Sequence, residues 1–242
     1  MAGDRFVPHI MLATGDLAMD REDYDESFVA TRDVLRGADV TFGQLETSFA
    51  SSGTRLPQAR HAVLARPDGA AALGRAGFHA ISMAGNHCMD WGREAFFETR
   101  AHLEAAGIAV VGAGADIAEA RRPVIRTLGD GTRLAVLAYS SILPHSYWAD
   151  ERRPGCAPMR AHTVYEQIEH DQPGTPARIH TFPHREDLAA MEADIRAAKQ
   201  QADVVVVSQH WGIHFVRAEI ADYQRDVARA AIAAGADAIL GG

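Results

Sequence analysis

The stretch ISMAGNHCMDWG, residues 81–92, packs Asn86, His87, Cys88 and Asp90 into one short turn after an apolar run. Amide oxygens and imidazole nitrogens are metal donors, and imidazole and carboxylate are acid–base groups. Three more candidates stand elsewhere: Asp16 in TGD, Glu46 in GQLE and His210 in SQHWG. Each has an ordinary explanation by itself. Asp16 reads as a helix cap or an Asx turn, Asn86 as a turn residue, Glu46 as a surface acid, and His210 as a donor to a backbone carbonyl. What links them is position, because each lies at or just after the C-terminal end of a run that reads as a strand. Carboxylates, an amide and an imidazole gathered on one edge have the composition of a site for two divalent ions. Such a pair clamps a phosphoryl or carbonyl centre and makes water nucleophilic at neutral pH. Mn, Fe or Zn suits this mixed donor set. A free histidine beside it would be the general acid, and His87 fits that role.

The remaining residues of the turn divide by geometry. Cys88 follows His87 directly, and chain neighbours rarely face one another, so it is read as a packed residue and not a nucleophile. Asp90 has two readings: the acceptor that orients His87, or the cap of the helix that begins at DWGREAF, which is preferred. The GAG at 112–114 lacks the full glycine fingerprint of a dinucleotide site.

The elements that must position these groups alternate strand and helix. HIMLAT (9–14), DVTFGQLE (39–46), HAISMA (79–84), IAVVGAG and DVVVVSQHWG (203–212) read as strands. Four consecutive valines mark the last of these as buried on both faces. ESFVATRDVLRGA, DGAAALGRAGF, REAFFETRAHLEAAG (93–107), REDLAAMEADIRAAKQQA (185–202) and YQRDVARAAIAAGA read as helices. RPVIRTL and RLAVLAYS flank GDG, a hairpin turn signal. The sum is an α/β domain, in which ligands sit beyond the carboxyl ends of the strands. Residues 141–184 form the exception. They show little periodicity and are expected to be an irregular insertion, read as a substrate loop because Tyr147, Trp148, Tyr165 and Phe182 are costly to leave in plain linker.

Bulk composition narrows the function class. The 242 residues carry a formal net charge of -8 and no Lys/Arg block, which argues against nucleic-acid binding. Two cysteines make no disulfide framework. No apolar run approaches the ~20 residues of a membrane span, and no leader is seen at the N-terminus, so the chain is expected to be cytoplasmic.

The ordered set LATGDL, ADVTFGQLE, AGFHAISMAGNHCMDWG, LEAAGIAVVGAG with AEARRP, ADVVVVSQHWGIHF and AAGADAILGG resembles the motifs of the CapA family. These are capsule or poly-γ-glutamate synthesis proteins, a branch of the calcineurin-like metallophosphoesterases. The resemblance implies one metallophosphoesterase-like αββα sandwich of two mixed sheets over residues 1–242. It also implies metal ligation by Asp16, Glu46, Asn86 and His210, with Glu46 replacing the usual bridging aspartate, and a catalytic role for His87.

There are departures from that pattern. Position 18 is Ala where the superfamily has a histidine, Gln44 replaces the Asn of Asn-Leu-Glu, and His214 stands where many relatives carry an acid. His214 is a substitute ligand, a substrate contact or a structural residue. The family's next histidine motif would begin at ILGG, so the chain is expected to be C-terminally truncated, with an incomplete second sheet and weakened metal binding. The expected function is metal-dependent hydrolysis of a small phosphoester. Proton transfer or amide chemistry on a peptide-like substrate, and a non-catalytic accessory role in polymer synthesis or export, are the alternatives.

Overall fold

Repeated strand–helix units build the first sheet. The computed structural model describes residues 8–242. β1 (Met11–Leu17) and β2 (Val40–Leu45) pair in parallel. α1 (Asp68–Ala76) then returns the chain to β3 (Ala80–Ser82), and α2 (Gly92–Ala105) returns it to β4 (Ala109–Val111). The strand order is β1-β2-β3-β4, parallel throughout. Parallel neighbours require such crossovers. On α2, Phe96 and Leu103 are fully buried, two turns apart on one face, as the sequence pattern predicts.

The second sheet is mixed. β5 (Val124–Thr127) and β6 (Arg133–Ser140) form the antiparallel hairpin announced by GDG. A ribbon follows, β7 (Ala161–Glu166) with β8 (Arg178–Pro183), then α3 (Arg185–Lys199), β9 (Val204–His210), α4 (Asp222–Ala234) and β10 (Ala238–Gly241). The sheet order is β10-β9-β6-β5, and β9 pairs in parallel with both β6 and β10.

Period-two alternation assigns the two faces of this sheet. Leu134, Val136 and Ala138 of β6 and Val206 of β9 pack with the first sheet. Ala135, Leu137, Tyr139, Val205 and Val207 point the other way, onto Met191 and Ile195 of α3 and Val227 and Ala231 of α4. Consecutive valines in β9 are therefore split between two cores, which is why that strand carries no polar face. The result is the αββα layering. The sheets approach closely at Gly112. A Cβ there would lie 2.7 Å from the Ala84 Cβ and 2.8 Å from the Ala138 carbonyl oxygen. The GAG run serves close packing.

Two segments differ from the sequence reading. ESFVATRDVLRGA is not one helix but a 3₁₀ turn at Asp25–Phe28 and a short helix at Arg32–Arg36. Asp23 Oδ1 accepts from the backbone N–H groups of Asp25 and Glu26, a local bond that favours a turn over a continuous helix. Phe28 and Leu35 are buried, but Val29 is exposed. Residues 141–184 are not irregular throughout, since they hold the β7–β8 ribbon. Its alternation (HTVYE against RIHTF) is weak because both of its faces carry polar residues. Among the described residues no helix is long and apolar enough to cross a membrane.

Candidate functional site

Three strand ends deliver the donors. Asp16 is the penultimate residue of β1, at the end of a bulge between Ala13 and Asp16 that re-aims the strand. Glu46 follows the fully buried β2, and His210 is the last residue of β9. One ligand atom from each of Asp16, Glu46 and His210 lies within 4.8 Å of the other two. His210 Nε2 donates to Asn86 Oδ1 at 2.8 Å, so the amide reaches the same point from the loop after β3. His210 Nε2 is also 3.4 Å from Glu46 Oε1, and Nδ1 is 3.8 Å from Asp16 Oδ1.

His87 is oriented separately. A carboxylate only accepts, so Nδ1 must carry the proton it donates to Asp90 Oδ2 at 2.6 Å. Nε2 then faces Glu46 Oε2 at 3.4 Å. Asp90 is almost fully buried, and its other oxygen accepts from the Tyr147 hydroxyl at 2.7 Å. The preferred reading of Asp90 as a helix cap is overturned. Trp91 occupies the cap position of α2 and makes no side-chain capping bond, while the Asp90 carboxylate is spent on His87 and Tyr147. Cys88 is buried with its thiol toward the Tyr147 carbonyl, and burial pushes that thiol's pKa up, as suits a packing role.

The electrostatics follow from burial and crowding. Burial, reinforced by the neighbouring charge of Asp16, pushes the Glu46 carboxyl up to about 7. The hydrogen bond to Asp90 holds the His87 imidazolium above the usual histidine range, and burial holds His210 below it. Glu46 Oε1 and His210 Nδ1 are buried with no hydrogen-bond partner in the protein. Two crowded acids, an imidazole left neutral and two orphaned lone-pair atoms are a donor set that a divalent cation fits.

These residues floor a cleft of about 860 Å³ walled by Gln58, Arg60, His61, Ile142, Leu143 and Pro144. His214 lines the same cleft but is exposed, outside the convergent donor group. Gln58 Nε2 donates to the His145 carbonyl at 2.9 Å and so ties the two loops that form the rim. The sequence reading missed Gln58, Arg60, His61 and the tyrosine that holds Asp90. Residues 51–63 have no periodicity to place them. The one signal in Tyr147 was the cost of leaving it exposed, and it is fully buried.

The bacterial capsule synthesis protein model, PGA_cap, matches residues 8–242. The chain belongs to that family. Among its capsule-synthesis relatives is a Mycobacterium tuberculosis protein named as a probable polyglutamine synthesis accessory protein. It is 32% identical over 178 residues, or 72% of this chain and 41% of the relative. The PGA biosynthesis protein CapA of Bacillus subtilis is 26% identical over 68% of this chain and 36% of its own. The chain thus spans about two-fifths of the length of these curated relatives. A Staphylococcus aureus protein described as a candidate 5'-nucleotidase, crystallised with alpha-ketoglutarate, aligns with 96% of this chain and 44% of its own at 14% identity and a TM-score of 0.47.

Proposed function

We propose that this capsule-synthesis family member is a metal-dependent hydrolase of phosphoesters, with Asp16, Glu46, Asn86 and His210 holding divalent ions and His87 as general acid. The observation that carries the reading is the division of labour within one cleft: a convergent donor group, and a second histidine oriented by a different carboxylate. Asp16, Glu46, Asn86 and His210 would hold the ions, with Glu46 Oε1 beside His210 and Oε2 beside His87. A bound divalent ion supplies charge neutralisation and polarisation of phosphoryl oxygens.

The chain's own residues do the rest. Asp90 accepts the Nδ1 proton of His87 and leaves Nε2 to give a proton to the departing oxygen. Tyr147 fixes Asp90, so the ring is held by a buried pair and cannot turn away. Ile142, Leu143 and Pro144 give the cleft an apolar wall. Arg60, which also lines the cleft, offers a positive charge that draws an anionic ester toward the floor.

The test has two readouts. Added Mn at a hundredfold excess over its Kd should stabilise the fold by about 2.7 kcal/mol. For a chain of this size that raises the melting temperature by about 8 °C. The same loaded protein should release phosphate from p-nitrophenyl phosphate, and His87→Asn should abolish release while keeping the thermal shift. A second reading is favoured by the accessory role in the mycobacterial relative's name. In that case Mn would raise the melting temperature with no turnover of any phosphoester, a result that sinks the hydrolase reading.

A further inference from the structure

Fourteen large hydrophobic residues are exposed among the described residues, and nine of them lie on just two segments, the β7–β8 ribbon with its tip and the loop 213–220. The ribbon register decides which of them face inward. Thr163 pairs with Thr181 and Tyr165 with Ile179, so these four share one face. That face lies against the N-terminus of α4, where Thr181 Oγ1 accepts from the Tyr223 N–H at 3.1 Å. Between it and the loop runs a groove of about 510 Å³, walled by Tyr165 and Ile179 on one side and Ile213, Val216 and Ile220 on the other. The groove and the metal cleft share Ile142, Gly212, Ile213 and His214 along a common border.

Resting on the hydrolase reading, we propose that this groove is a subsite for an apolar alkyl or aryl group carried by the substrate next to its phosphoryl group. The head would sit over Asp16, Glu46 and His210, and the apolar portion would run past His214 into the groove. Continuity with the cleft selects a substrate over an unrelated partner, because an occupant of the groove lies directly beside the reacting group. The chemistry of the walls selects its character. Tyr165, Ile179, Ile213, Val216 and Ile220 offer an apolar surface, and the charges on the lining, Glu219 and Asp222, are both acidic and so repel a second anionic group rather than an uncharged tail. His214 then takes the substrate-contact role, its imidazole standing where head and tail join.

Alkylphosphonates test this without turnover, since their carbon–phosphorus bond resists hydrolysis. Calorimetric titration of Mn-loaded protein with methyl-, propyl- and hexylphosphonate should show affinity rising about fourfold for each buried methylene. That amounts to ~100-fold from methyl to hexyl with partial burial. Ile220→Asp and Ile179→Asp, both surface positions, should each remove the length dependence and leave methylphosphonate binding unchanged. Asp16→Asn should weaken the whole series equally. Equal affinity across the series, with phosphate release from p-nitrophenyl phosphate intact, would overturn the subsite and leave the hydrolase standing. Failure of every phosphonate to bind, together with no turnover, would overturn both. A dimer that Ile220→Asp dissociates, with no length dependence, would assign the surface to a second copy and overturn the subsite as well.

Discussion

Gly112→Ala separates the two reasons a glycine stands where the sheets meet. The first reason is backbone conformation. Its φ is 76°, in the left-handed region, where a Cβ costs about 1 kcal/mol. The second is space. The new methyl would lie 2.7 Å from the Ala84 Cβ, 2.8 Å from the Ala138 carbonyl oxygen and 2.9 Å from the Ala138 Cβ. None of these is the free end of a flexible side chain, so the sheets themselves must move. Overpacking of that kind costs about 1–3 kcal/mol. The sum is about 3 kcal/mol, against a total stability on the order of 5–15 kcal/mol. Gly107→Ala is the control, because Gly107 has nearly the same φ, 79°, with nothing within 4 Å of the added Cβ. It should lose only the conformational ~1 kcal/mol. Urea unfolding of both variants measures the difference. Losses that agree within about 0.5 kcal/mol would refute a rigid contact between the sheets. The consequence reaches the site, since Ala84 and Ala138 belong to the strand ends that carry Asn86 and lie beside His210.

The remaining predictions concern the ring holder and acid stability. Asp90→Asn should lower kcat by about 10- to 100-fold with KM and Mn affinity unchanged, and should move the limb of the pH profile that reports His87 downward. An unaltered profile would show that Asp90 does not act through His87. Glu119 accepts from Arg100 Nη2 at 2.8 Å and from the Ala115 N–H at 2.6 Å, and these bonds hold its carboxyl at about 2. A depressed carboxylate stabilises the fold above its ordinary value of about 4.5, and that contribution is lost as pH falls through about 2. Discounted for the 26% exposure of Glu119, the contribution is about 2 kcal/mol, so Glu119→Gln should lose that much at pH 7 and nothing near pH 2. A pH-independent loss would assign the effect to packing.

The sequence shows the strand ends well and the loops poorly, for a physical reason. Val204–Val207, Phe42 and Ile81 announce their strands because burial on two faces forces an apolar run. The residue that ends such a run is visible by the break itself, which is what marks Glu46, Asn86 and His210 as candidates, whereas Asp16 lies in a half-exposed strand and is marked only by its TGD turn signal. Gln58, Arg60 and His61 reach the same cleft from a segment whose path is set by contacts far away in sequence, among them the Gln58 bond to the His145 carbonyl. Nothing local encodes that path. Asp90 shows the limit differently. Its short-range role as a cap was legible and wrong, because a buried hydroxyl 57 residues away, on Tyr147, competes for the carboxylate. The ribbon was hidden because polar and apolar residues mix on both of its faces and even Tyr165 and Ile179 stay largely exposed, so burial imposes no clean alternation.

The site's energetics run against the fold that carries it. Glu46 is buried beside Asp16 with its carboxyl driven to about 7, and one of its oxygens has no partner. A hydrophobic residue at position 46 would relieve both penalties, yet the chain places an acid there, and a desolvated neutral imidazole beside it. Arrangements that violate packing and polar satisfaction together belong to function more often than to stability. Here the violations are specific in sign. Burial and the Asp16 charge raise the Glu46 carboxyl, while a histidine kept from protonating offers a lone pair. A cation answers all of these at once, and a bound anion would worsen the first. The same test separates His87 from the group. Its proton is stabilised by Asp90, which holds Nδ1, so it resists the role of ligand that His210 invites. The two histidines lie in one cleft with opposite proton preferences, and that opposition, more than either residue's presence, supports a donor centre with an acid beside it.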